Sequence, residues 1–112
     1  MKTLKNTPHF DQQVVTCEWT GGAQIDQMED LQTLIVETRN STYEVTILCG
    51  ERGDILLRGG SFRARTPVQL SGASLAGSLL KLRGIYTGLN MEFEHDGRYI
   101  LTSPVRRIGI PR

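Results

Sequence analysis

Apolar residues recur along this chain in short runs with a period near two, broken by glycine, proline and the pairs Asn40-Ser41 and Asp96-Gly97. Such a pattern predicts half-buried strands rather than helices. Residues 34–38 and 43–49 are rich in β-branched and aromatic side chains and read as a hairpin around Asn40-Ser41. A two-residue loop there sets Val36 against Val45 and Leu34 against Ile47. It also sets Glu37 against Glu44, so either an arginine lies between these like charges or the loop is longer.

Residues 50–54 (GERGD) predict the next turn, and 55–58 a short strand. Gly59-Gly60 predicts a bulge or kink from which 61–65 continue in a new direction. Pro67 restricts pairing, leaving 68–70 as a brief strand or edge. The small residues of 71–78 (SGASLAGS) suit a tight loop or a one-turn helix, and Leu79, Leu80 and Leu82 are expected to supply core. The strongest local signal is the last hairpin, residues 89–95 and 98–102 around Asp96-Gly97. That turn sets Phe93 opposite Ile100 and Met91 opposite Thr102, while Glu92 and Glu94 share the other face with Tyr99 and Leu101. Pro104 is expected to stop this ladder before a final strand over 105–110.

The first thirty residues differ from the rest. They are polar, carry Pro8 and Gly21-Gly22, and hold one strand-like run, 13–19 (QVVTCEW). Residues 1–30 therefore read as an N-terminal arm, mobile to about Phe10, and 31–112 as the β domain. Within the arm, 24–32 suggests a short helix with a thin stripe of Ile25, Met28 and Leu31. The run 13–19 turns Val15, Cys17 and Trp19 to one side, which makes Val15 and Trp19 candidate interface residues. Together these runs predict an all-β fold, a small antiparallel β-barrel or two-layer sandwich of about six to eight short strands.

Composition agrees. A length of 112 residues suits one core, and 38% hydrophobic residues with twelve glycines suits sheets that face water on one side. No apolar run is long enough to span a bilayer, and residues 1–11 lack the apolar stretch of a signal peptide, so the expected compartment is cytoplasmic. Cys17 and Cys49 are then expected to stay reduced, and Asn40-Ser41-Thr42 reads as turn chemistry rather than a glycosylation site. The net charge of +1 conceals a division. Residues 1–54 carry four Lys/Arg against nine Asp/Glu, residues 55–112 nine against three. The simpler expectation is that the two halves bring opposite charges together in one fold; the other is a basic surface for an anionic partner.

Catalytic chemistry is sparse. His9 and His95 are the only histidines, one in the arm and one beside a turn, and Cys17, Cys49, His9 and His95 lack the short spacing of a zinc site. Neither a P-loop nor GxGxxG is present, so no cofactor is expected. The run Ser74-Leu75-Ala76-Gly77, followed by a strand beginning near Gly88, resembles the second half of the signature of PilZ domains, a resemblance that implies a small β-barrel and cyclic di-GMP binding. That family's RxxxR pair does not occur here, and Gly72 stands where its motif has Asp or Asn. Residues 70–110 are also similar to short bacterial proteins of no assigned function, which implies an ordered domain.

The function these observations predict is a non-enzymatic protein-binding or assembly module. It would present edge strands or its arm to another protein or to a second copy of itself. The alternative is a ligand- or nucleic-acid-binding barrel that uses Arg58, Arg63, Arg65, Lys81, Arg83, Arg106 and Arg107, with Phe62, Tyr86 and Tyr99 as stacking aromatics. An enzyme is the third and least supported reading.

Overall fold

A computed structural model describes residues 9–10, 13–14 and 16–112. In chain order the strands are β1 (His9–Phe10), β2 (Gln13–Val14), β3 (Cys17–Thr20), β4 (Gly22–Gln24), β5 (Thr33–Thr38), β6 (Thr42–Cys49), β7 (Asp54–Gly59), β8 (Phe62–Leu75), β9 (Ser78–Leu82), β10 (Gly84–Tyr86), β11 (Asn90–His95) and β12 (Arg98–Pro111). Every pairing is antiparallel. The all-β expectation therefore holds.

Consecutive strands pair from β5 to β8, and β11 pairs with both β8 and β12. Because β12 returns to β5, these six strands form a closed hydrogen-bonded circuit. The result is sandwich-like rather than a round barrel. β8 and β12 are each 14 residues long and change partners along their length: β8 passes from β7 to β11 and β9, and β12 from β11 to β5 and β3. Inside lie Leu34, Val36, Val45, Ile47, Ile55, Leu57, Leu70, Met91, Phe93 and Ile108, all at most 1% exposed.

Several boundaries differ from the sequence expectation, each for a local physical reason. The β5–β6 loop is Arg39-Asn40, with Thr38 N–H donating to Ser41 O at 2.8 Å. Val36 then meets Tyr43 and Leu34 meets Val45, and Glu37 lies opposite Thr42 instead of Glu44. The slip keeps the apolar face inward and removes the like-charge conflict. Gly59-Gly60 is a hairpin reversal, since Gly59 pairs with Phe62. Pro67 does not interrupt β8, because it lies where only β7 flanks the strand, so its missing N–H can face the open side. Pro104 likewise lies within β12, at a bulge opposite β11. The last hairpin has the expected register near its turn, with Phe93 against Ile100 and Gly97 at φ 76°, but the bulge between Glu92 and Asn90 breaks the expected Met91–Thr102 pairing, and Met91 N–H donates to Thr102 Oγ1 instead.

The division at residue 30 is not followed by the packing. β3 pairs with β12, β4 with β10, and Ile25 is fully buried in the core. The expected helix over 24–32 contracts to a 3-10 turn, Ile25–Gln27, and Leu31 is 73% exposed with φ 68°. A stripe of three apolar residues was too thin to hold a helix against the pull of the core on Ile25 alone. The strand expected over 13–19 occurs as β2 and β3. Mobility of residues 1–8 and the side chain of Val15 fall outside the described residues.

Candidate protein-docking face

The segment expected to be a small-residue loop is the β8–β9 hairpin. Ala76 (φ 51°) and Gly77 (φ 96°) make its two-residue turn, which Ser74 Oγ and Asn90 Oδ1 hold by accepting the N–H groups of Gly77 and Ala76 at 3.0 Å each. These positive φ values at both turn positions match the twist of an antiparallel hairpin. The turn places β9 outside the closed circuit, and among the described residues β9 pairs with β8 alone.

Leu79, Leu80 and Leu82, expected in the core, are 44%, 55% and 60% exposed. Gly72 explains how they connect with the rest of the surface. It pairs with Leu82 on one side and Glu92 on the other, and a Cβ there would lie 2.1 Å from the Lys81 carbonyl oxygen. A side chain is thus excluded between the two. Glu92 in turn pairs with Leu101, and Glu94 with Tyr99 in the neighbouring row. Since residues two apart share a face, Leu82, Glu92, Leu101, Glu94 and Tyr99 lie together on the outer surface of β9, β11 and β12. Leu101 is 42% and Tyr99 69% exposed. In the middle of this apolar group, Glu92 Oε1 is buried without a hydrogen-bond partner.

The edge of β9 is less open than this face. Its ladder is bulged at Leu80, between the pairs Ala73/Lys81 and Ser74/Leu79, and Lys81 turns its ammonium to the Tyr86 ring at 5.9 Å. Gln24 Nε2 donates to the Leu82 carbonyl at 3.1 Å. Bulges and lysines are common means of blunting a free edge.

Arg58, Arg65 and Arg107 lie on one outer sheet face together with the carboxylates of Glu37 and Glu44, whereas Lys81 and Arg83 lie elsewhere. Arg58 and Arg65 both reach Glu44 Oε1 at 3.1 Å, across β7, β8 and β6. Arg107 binds Glu37 through two nitrogens at 2.9 and 3.1 Å and stacks on Trp19, its Cζ 3.6 Å from the ring centroid. Arg83 donates to the backbone carbonyls of Leu70 (2.8 Å) and Glu51 (3.2 Å), tying β10 to the turn before β7. Lys81 covers Tyr86, while Arg63 and Arg106 are exposed. Acidic first-half residues thus pair with some of the basic second-half ones, Glu44 with Arg58 and Arg65 and Glu37 with Arg107, in line with the simpler of the two charge expectations.

No family model, curated protein or solved structure matches this chain.

Trp19 is half-buried over Gly109, whose missing side chain makes room for the ring, and Cys17 beneath is 3% exposed. Burial pushes the Cys17 thiol pKa up, against a smaller lowering by Arg107. Both cysteines are free thiols. Cys49 lies instead in a shallow cleft of about 700 Å3, with Arg52, Asp54, Gln69, Glu94 and His95. There Arg52 pairs with Asp54 at 3.0 Å, and His95 with Asp96 at 3.3 Å. Among the described residues no three of His, Cys, Asp and Glu approach closely enough to hold a metal ion. Residues 74–77 close the β8–β9 turn, with the Ser74 hydroxyl accepting the Gly77 N–H.

Of the docking-face residues only Tyr99 was among the sequence-derived candidates, and there as a stacking aromatic for nucleic acid; the leucines and Glu92 were not. One signal was available. Adjacent leucines at 79 and 80 cannot both face the core of a regular strand, and the last hairpin had already placed Tyr99 and Leu101 outward.

Proposed function

We propose that this protein is a non-enzymatic protein-binding module that docks partners on the outer face of β9, β11 and β12. The observation that carries the reading is the joined exposure of Leu79, Leu80, Leu82, Tyr99 and Leu101. These side chains leave on the order of 500 Å2 of apolar surface uncovered, at the upper end for the largest patch on a monomer, where such patches usually mark interaction sites. An exposed tyrosine beside apolar side chains is also of the kind enriched at interface centres. The docking element is thus a sheet face rather than the edge or arm expected from sequence. Pairing of Arg58, Arg65 and Arg107 with carboxylates weakens the nucleic-acid alternative.

The test compares tagged wild type with the double variant Leu82→Asp, Leu101→Asp as bait in an extract of the native cells. Partners retained by the wild type in high salt and lost from the variant support the reading. Equal retention by both, or salt-sensitive retention of nucleic acid alone, overturns it.

A further inference from the structure

The docking face combines two features that pull in opposite directions chemically. Leucines and a tyrosine favour an apolar partner. Glu92 stands in their midst with Oε1 buried and without a hydrogen-bond partner, and Glu94 lies one row away on the same face. Oε1 is covered by the chain itself, but Glu92 as a whole is half-exposed, and a carboxylate set among apolar side chains gains most from a cationic donor. Gly72, between Leu82 and Glu92 in the ladder, lets the β9 backbone approach β8 closely, so that Leu82 and Glu92 lie in one row with no side chain between them.

We propose that the occupant of this face is a protein segment carrying large apolar side chains around a lysine or arginine, whose cationic group binds the Glu92 carboxylate. The inference rests on the docking reading above and adds the chemistry of the partner. Apolar residues of the segment would cover Leu82, Leu101 and Tyr99, excluding water from the ion pair and strengthening it. The blunted β9 edge, with its bulge at Leu80 and its Lys81, directs the segment onto the face instead of extending the sheet. A second copy of this chain, docked face to face about an axis near Glu92, would bring like charges together, which is unfavourable.

The experiment selects from a library of random peptides displayed on phage against the wild-type protein, with counter-selection on the Leu82→Asp, Leu101→Asp variant. An enriched peptide is then synthesised with its basic residue and with norleucine in that place, and each is titrated calorimetrically against wild type and Glu92→Gln. The expected result is enrichment of Lys or Arg between apolar residues, and about tenfold or greater weakening by either the norleucine or the Glu92→Gln change, with no further loss when both are combined. Enriched peptides that lack a basic residue, or that bind Glu92→Gln equally well, overturn this inference and leave the docking reading standing. Concentration-dependent dimerisation abolished by the double variant would also overturn it, with a second copy as occupant. If nothing is enriched and the protein stays monomeric, the docking reading itself fails.

Discussion

At the scale of single residues, Arg107 joins three elements of the structure outside the core. Its guanidinium forms two bonds to Glu37 and lies flat on Trp19, which in turn covers Gly109. The ion pair is still in reach of water, with side chains 25% and 24% exposed, and each contact contributes a few tenths to about 1 kcal/mol. Arg107→Ala should therefore destabilise the fold by about 1 kcal/mol and shift the emission of Trp19, the sole tryptophan, to the red. Unchanged emission would show that the stacking does not shield the ring. Cys17 beneath gives a pH signature. Its thiol pKa is raised by burial, so the folded state holds that proton more tightly than the unfolded chain does. The associated stability is complete below the unfolded thiol's pKa and is lost as pH climbs through the raised value. Cys17→Ala should flatten the alkaline limb of a melting-temperature profile, and an identical limb in both proteins would refute the assignment.

At the scale of elements, what the sequence revealed was whatever local chemistry decides. Asp96-Gly97 specifies its turn and thereby the register of β11 on β12, and the β-branched runs specify β5 and β6. Where two neighbouring positions could close the same turn, as at Arg39-Asn40 and Asn40-Ser41, the choice depended on Arg107 drawing Glu37 and on Arg58 and Arg65 drawing Glu44. Those partners lie far along the chain. β9 was misread because a run of leucines has the same composition in a core and on an uncovered surface, and only the placement of β8 separates the two. The difference is measurable. Leu82→Asp together with Leu101→Asp should change stability by no more than about 0.5 kcal/mol per site. Leu70→Ala, in the same sheet but fully buried, should cost roughly 2 to 5 kcal/mol. Comparable losses in chemical denaturation would mean that the β9 leucines are covered.

At the scale of the whole molecule, two kinds of surface are separated. On β5, β6, β7, β8 and β12, arginines are matched with Glu37 and Glu44; on β9, β11 and β12, apolar side chains surround Glu92. Charge neutralisation on the first surface predicts that the protein elutes from heparin at or below physiological salt. Retention well above it would expose a basic site that the ion pairs do not quench. The second surface carries the functional account, and amide chemical-shift mapping tests it most directly. A peptide enriched on the wild-type protein should perturb Leu79, Leu82, Glu92, Tyr99 and Leu101 and leave Arg58, Arg65 and Arg107 in place. Shifts confined to those arginines, with the β9 amides unmoved, would contradict the account.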